Sequence, residues 1–204
     1  MIGPRTGEER HPGLREALSA PGALRWRLVG DEDTGAAVLG FAQGGVVLVL
    51  PDSEVMVPAD VWTGWVAAMA RRAVEAWSAG PGAPEPPSWI AASLNFMDNI
   101  PAADASRQDV LLFAASANPM RHIQSGDRDV AEVCALVWDT WGWTYRRAFG
   151  DRRQRDAPHT LATAAVAAHR ALALRAGEDA EAAEDAERTT LYADLLQRLA
   201  DALR

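Results

Sequence analysis

Lysine is missing from this chain and cysteine almost so: all twenty basic side chains are arginine, and Cys134 stands alone. A single thiol excludes an intramolecular disulfide and cannot supply the thiolate cluster of a structural zinc site. The N-terminal stretch from Met1 to Arg10 carries no apolar core of the kind a signal peptide needs. No later run approaches the roughly 18 consecutive apolar residues of a membrane span. These absences lead to the expectation of a soluble, cytoplasmic chain with no membrane partner.

The motifs of common chemistries are missing too. The four histidines include His159 and His169, ten residues apart, with no H-E-x-x-H between them. No metal site is expected from such sparse ligands. Gly44-Gly45 reads as a hairpin turn and Gly80-x-Gly82 sits among prolines, so neither is a phosphate loop. No G-x-S-x-G elbow presents a serine nucleophile. No cofactor is expected, and a non-catalytic role takes precedence over an enzymatic one.

What is present is a 204-residue chain with 49% hydrophobic residues, enough for a sizeable core without covalent staples. Its net charge of −8 and sequence pI near 5.0 disfavour long-range attraction to nucleic acid. A protein partner or a second copy of the chain is the expected partner, with a small molecule left open.

The pattern of residues predicts an α+β fold in four stretches. Residues 1–23, rich in Gly, Pro and charge, read as a flexible arm with one short helical stretch around Leu14 to Leu18. Residues 24–79 read as a βββα layer. Leu24, Trp26 and Leu28 alternate with Arg25 and Arg27, then come Ala36 to Ala42 and the apolar run Val46 to Leu50. Alternation and the Gly-containing separators predict an antiparallel β-meander, with a short fourth strand at 54–57. A helix beginning at Pro58 is expected to cover it, because Trp62, Val66, Met69, Ala73 and Trp77 recur at three- and four-residue steps.

Residues 80–88 (Gly80-Pro81-Gly82-Ala83-Pro84-Glu85-Pro86-Pro87 and Ser88) cannot continue a helix and read as a linker. Residues 89–204 read as mostly helical. Trp89 to Phe96 has no clear period, and Asp109 to Ala115 reads as one buried strand. A central helix is expected over 127–149, its apolar stripe running through Val130, Cys134, Val137, Trp141, Tyr145 and Phe149 and widened by Leu136 and Trp138. A second is expected over 157–176, opened by Asp156 and Pro158 and stopped by Gly177. A third is expected over 180–203 with Leu191, Leu195, Leu199 and Ala202 as its seam.

The best local candidate for a ligand site is the stretch from Ser116 to Asp127. Arg121 and His122 would hold an anion against the amides that open the following helix, with Asp127 beside them. Trp138 and Trp141 would form the wall of that pocket. The simpler alternative is a connecting loop capped by Ser125 or Asp127, with the tryptophans in the core. Arg146, Arg147, Arg152, Arg153 and Arg155 follow those aromatics, a combination used by binders of single-stranded nucleic acid, but arginines at a helix end also offset its dipole. Arg153 and His159 have an R-x(4–6)-H spacing that resembles ribonucleases of the HEPN class; Pro158 puts this His at a helix start, so no activity is taken from it.

The sequence therefore supports a non-catalytic accessory, regulatory or assembly protein that works through protein contacts and self-association. Leu191, Leu195 and Leu199 are its candidate interaction surface. The alternative is an enzyme or small-molecule sensor whose pocket lies between the two halves near His122 and Trp138.

Overall fold

The structure, a computed structural model, describes residues 12–26, 38–42, 45–50, 53–80, 83, 85–86, 88–99, 133, 136, 139 and 157–204. Its elements in chain order are α1 (Pro12–Ser19), a 3-10 turn (Pro21–Ala23), β1 (Arg25–Trp26), β2 (Val38–Ala42), β3 (Gly45–Val49), β4 (Glu54–Met56), α2 (Ala59–Ala79), α3 (Ser88–Asn99), α4 (Ala157–Ala176) and α5 (Ala180–Ala202). The fold is α+β and mostly helical, with antiparallel pairing within its small sheet. No described helix is long and apolar enough to cross a membrane.

Two compact units divide the chain. One holds residues 1–65 and 185–204, the other 66–184. The division cuts α2 after Trp65 and α5 before Asp185. The proline-rich stretch 80–88 lies inside the second unit and not at its edge.

The first unit contains the sheet, in the order β1-β2-β3-β4. Val38 to Ala42 of β2 pair antiparallel with Val49 to Gly45 of β3, and Val47 to Val49 of β3 with Met56 to Glu54 of β4. The first pair departs from the expected meander: Arg25 and Trp26 run parallel to Val38 and Leu39. A tight hairpin reverses chain direction and cannot produce that register; a parallel pair needs a longer connection. Residues 27–37, which connect the two strands, lie outside the described residues.

Three consecutive residues of β3, Val46, Val47 and Leu48, are buried, the signature of a strand covered on both faces. Along β4 only Val55 is buried, between exposed Glu54 and Met56, the alternation of a strand with one wet face. Leu14 of α1 is fully buried, so the short helical stretch read within the N-terminal arm contributes an apolar anchor.

Pro58 lies one position outside α2, and its carbonyl accepts the first helical bond from the Trp62 amide at 3.2 Å. That is the N-cap role, in which a residue without an amide hydrogen loses nothing. In the first unit α2 contributes Val61, Trp62 and Trp65. Trp65 donates its Nε1–H to the Leu191 carbonyl of α5 at 2.7 Å and stacks on Tyr192, ring centroids 6.4 Å apart. A Cβ at Gly64 would lie 3.1 Å from the Arg198 guanidinium, the flexible end of a side chain on α5.

In the second unit α2 continues with Val66, Met69, Ala73 and Trp77, the stripe expected from the sequence, all buried. The ambiguous stretch after the prolines is helix α3, with Ile90, Ser93 and Met97 inside. Of the expected central helix only Val133, Leu136 and Asp139 lie among the described residues, and these three are helical. Val133 and Leu136 are buried and Asp139 is exposed. The expected strand 109–115 lies outside the described residues.

Helix α4 buries Leu161, Ala162, Ala165, Ala168 and Ala173. Gly177 ends it with φ +73°, and two bonds close the end: Gly177 amide to Leu174 carbonyl at 3.3 Å, Glu178 amide to Ala173 carbonyl at 2.9 Å. This is the Schellman arrangement, which satisfies carbonyls the helix leaves open. Asp179 then caps α5, its Oδ1 accepting from the amides of Glu181 and Ala182 at 3.0 and 3.1 Å. An exposed Arg170–Glu184 pair at 2.9 Å spans the connection.

Candidate functional site

Arg121, His122, Asp127, Trp138 and Trp141, the ligand-site residues expected from the sequence, all lie outside the described residues. The arginine run from Arg146 to Arg155 does as well. His159 stands within the first turn of α4, at the helix start that Pro158 implies.

Leu191, Leu195 and Leu199 are described in full. They are 1%, 1% and 0% exposed, packed within the first unit together with Tyr192, Leu196 and Ala200. The seam that the spacing offered to a partner is thus occupied inside the chain, while Ala202, expected to extend it, is exposed. The Trp65 indole pins this stripe from α2 through the Leu191 carbonyl. Four residues before Leu191, Glu187 is also buried, as the helical period requires of a residue on that face. The core-facing stripe of α5 therefore begins at Glu187.

The described surface shows few large apolar side chains. Leu174, on the last turn of α4, is 64% exposed, and Met56 on β4 is 47% exposed. Around Leu174 the side chains of Arg175, Glu178, Asp179 and Glu181 are exposed. Both signs of charge therefore flank one projecting leucine at the turn between α4 and α5. In the sequence, an exposed leucine inside a helix of alternating Leu and Ala carries no distinguishing signal.

A cavity of about 290 Å³ opens in the second unit, where the C-terminal ends of α2 and α4 meet the start of α5. Trp77, His169, Leu172, Ala173 and Ala183 line it, with Arg175 and Glu178 among the polar groups. Trp77 is 2% exposed, and its Nε1–H has no hydrogen-bond partner among the described residues. The sequence assigned Trp77 correctly to the buried stripe of its helix. Periodicity gives the face of a side chain and says nothing about whether its one polar atom finds an acceptor.

Among the described residues no group of three or more His, Cys, Asp or Glu side chains is arranged to hold a metal ion. No family model, no curated protein and no solved structure matches this chain.

Proposed function

We propose that the protein is a non-catalytic cytoplasmic accessory, regulatory or assembly protein that acts through protein contacts, with a second copy of itself as the first partner. In this reading α2 covers the antiparallel strands, and the contact surface is the turn between α4 and α5. The observation that carries the reading is Leu174, 64% exposed with charges of both signs beside it. Two copies related by a two-fold axis would bring leucine against leucine and Arg175 of each against Glu178 or Glu181 of the other, the self-complementarity an isologous contact requires. The seam of Leu191, Leu195 and Leu199 contributes by holding α5 in place, being buried in its own unit.

The test is the mass of the purified protein by light scattering over a wide concentration range, for the wild type and Leu174→Asp. A concentration-dependent dimer that Leu174→Asp converts to a folded monomer is the expected result. A monomer at every concentration, or a dimer indifferent to Leu174→Asp, overturns it. Leu195→Asp serves as the contrast: a charge placed at a 1% exposed position should unfold the chain and not merely dissociate it.

A further inference from the structure

We infer that the cavity between the ends of α2 and α4 and the start of α5 is a binding site for a small uncharged molecule with an apolar body and one strong hydrogen-bond acceptor, a carbonyl oxygen of the amide or ketone type. The inference does not depend on self-association.

Its basis is the Trp77 indole. A buried donor left without an acceptor is costly, and native structures leave very few such groups unanswered. Trp77 is held at 2% exposure on the buried stripe of α2, lines the cavity, and has an Nε1–H without a partner among the described residues. An acceptor brought in by a ligand would satisfy it. The lining also offers apolar surface for a hydrocarbon or aromatic body, from the indole, Leu172, Ala173 and Ala183. At about 290 Å³ the cavity stands at the lower end of small-molecule sites.

Electrostatics select the uncharged class. Arg175 brings one positive charge to the lining and Glu178 one negative charge, and these offset each other. The carboxyl-terminal ends of two helices, at Ala76 to Gly80 and Leu172 to Ala176, add the negative poles of their dipoles, and the amides that close the end of α4 are neutral and bring no positive charge. The positive pole at the start of α5 is already engaged, because the Asp179 carboxylate takes the amides of Glu181 and Ala182. An anionic acceptor would meet this negative balance, and an ammonium group would leave the indole N–H unanswered. A neutral carbonyl answers the donor without opposing the field.

The experiment follows the Trp77 indole N–H by ¹⁵N–¹H correlation spectroscopy of the full chain, its signal assigned through bonds and checked by its loss in Trp77→Phe. The probes are benzamide, benzoate and toluene, which share an aromatic body and differ in the acceptor. Benzamide should move the Trp77 signal downfield in a saturable manner, benzoate should bind about tenfold more weakly, and toluene should leave the proton without a downfield shift. Trp77→Phe should weaken benzamide binding by about tenfold while keeping the ring in place.

No response to benzamide, as expected if water alone fills the cavity, would overturn the inference. So would benzoate binding as tightly as benzamide. If Trp77→Phe fails to fold, the benzamide–benzoate comparison on the wild-type chain decides the question by itself.

Discussion

Replacing Trp65 by Phe removes a buried side-chain hydrogen bond that ties α2 to α5. Trp65 is fully buried, donates to the Leu191 carbonyl at 2.7 Å, and lies against Tyr192 with its ring 27° from parallel. Phe keeps an aromatic ring in the site and removes the donor together with the second ring of the indole. Loss of the hydrogen bond costs about 1 kcal/mol, at the low end of the range for buried groups because Leu191 is interior to α5 and its carbonyl retains its helical bond. The missing ring removes about two buried carbons at about 0.8 kcal/mol each. The sum is about 2.5 kcal/mol, or a fall of about 5–10 °C in Tm for a chain of this size. Urea unfolding followed by far-ultraviolet circular dichroism measures it, with an unchanged m-value showing that only stability has moved. A loss below about 0.5 kcal/mol, the range of ordinary surface substitutions, would refute both the burial and the bond.

Substitutions at three further positions separate backbone effects from packing in the same assay. Gly177→Ala should destabilise by about 1 kcal/mol although no atom lies within 4 Å of the new Cβ, because φ +73° itself disfavours a side chain. Gly64→Ala should do the reverse, gaining up to about 1 kcal/mol of helix propensity while the Arg198 guanidinium, 3.1 Å from the new Cβ, swings aside. A loss for Gly64→Ala would mean that Arg198 is held rigidly by its 2.9 Å bond to Asp194. Asp179→Ala should cost about 1 kcal/mol by uncapping α5, and Asp179→Asn should restore most of it; equal losses in the two variants would argue against the cap.

The sequence was most informative where local chemistry alone decides. Pro58 before α2, Gly177 after α4 and the stripe from Trp62 to Trp77 could be placed because a missing amide hydrogen, a positive φ and a 3.6-residue period act within a turn or two of the residue concerned. Pairing across distance was less legible. Alternation marked Trp26 as strand but could not say which neighbour it would join or in which direction, and β1 runs parallel to β2. The same limit governs Leu191, Leu195 and Leu199: their spacing reveals an apolar face, and nothing in the spacing distinguishes a chain's own core from a partner. The site residues Arg121, His122, Asp127, Trp138 and Trp141 fall outside the described residues, whereas the cavity at Trp77 joins positions more than a hundred residues apart in its lining, a coincidence that no local motif announces.

The way the first unit is completed has a consequence for synthesis. Trp65 and its acceptor Leu191 are separated by 126 positions, and the segment Asp185–Arg204 belongs with residues 1–65. A ribosome adding about 5–20 residues per second makes the sheet and then spends on the order of ten seconds translating the second unit before α5 is available. During that interval Trp65 lacks the Leu191 carbonyl and the strands lack the leucine stripe that shares their unit. Newly made chain is then open to proteases and to chaperone capture, and emergence of α5 from the exit tunnel becomes the step that completes the first unit.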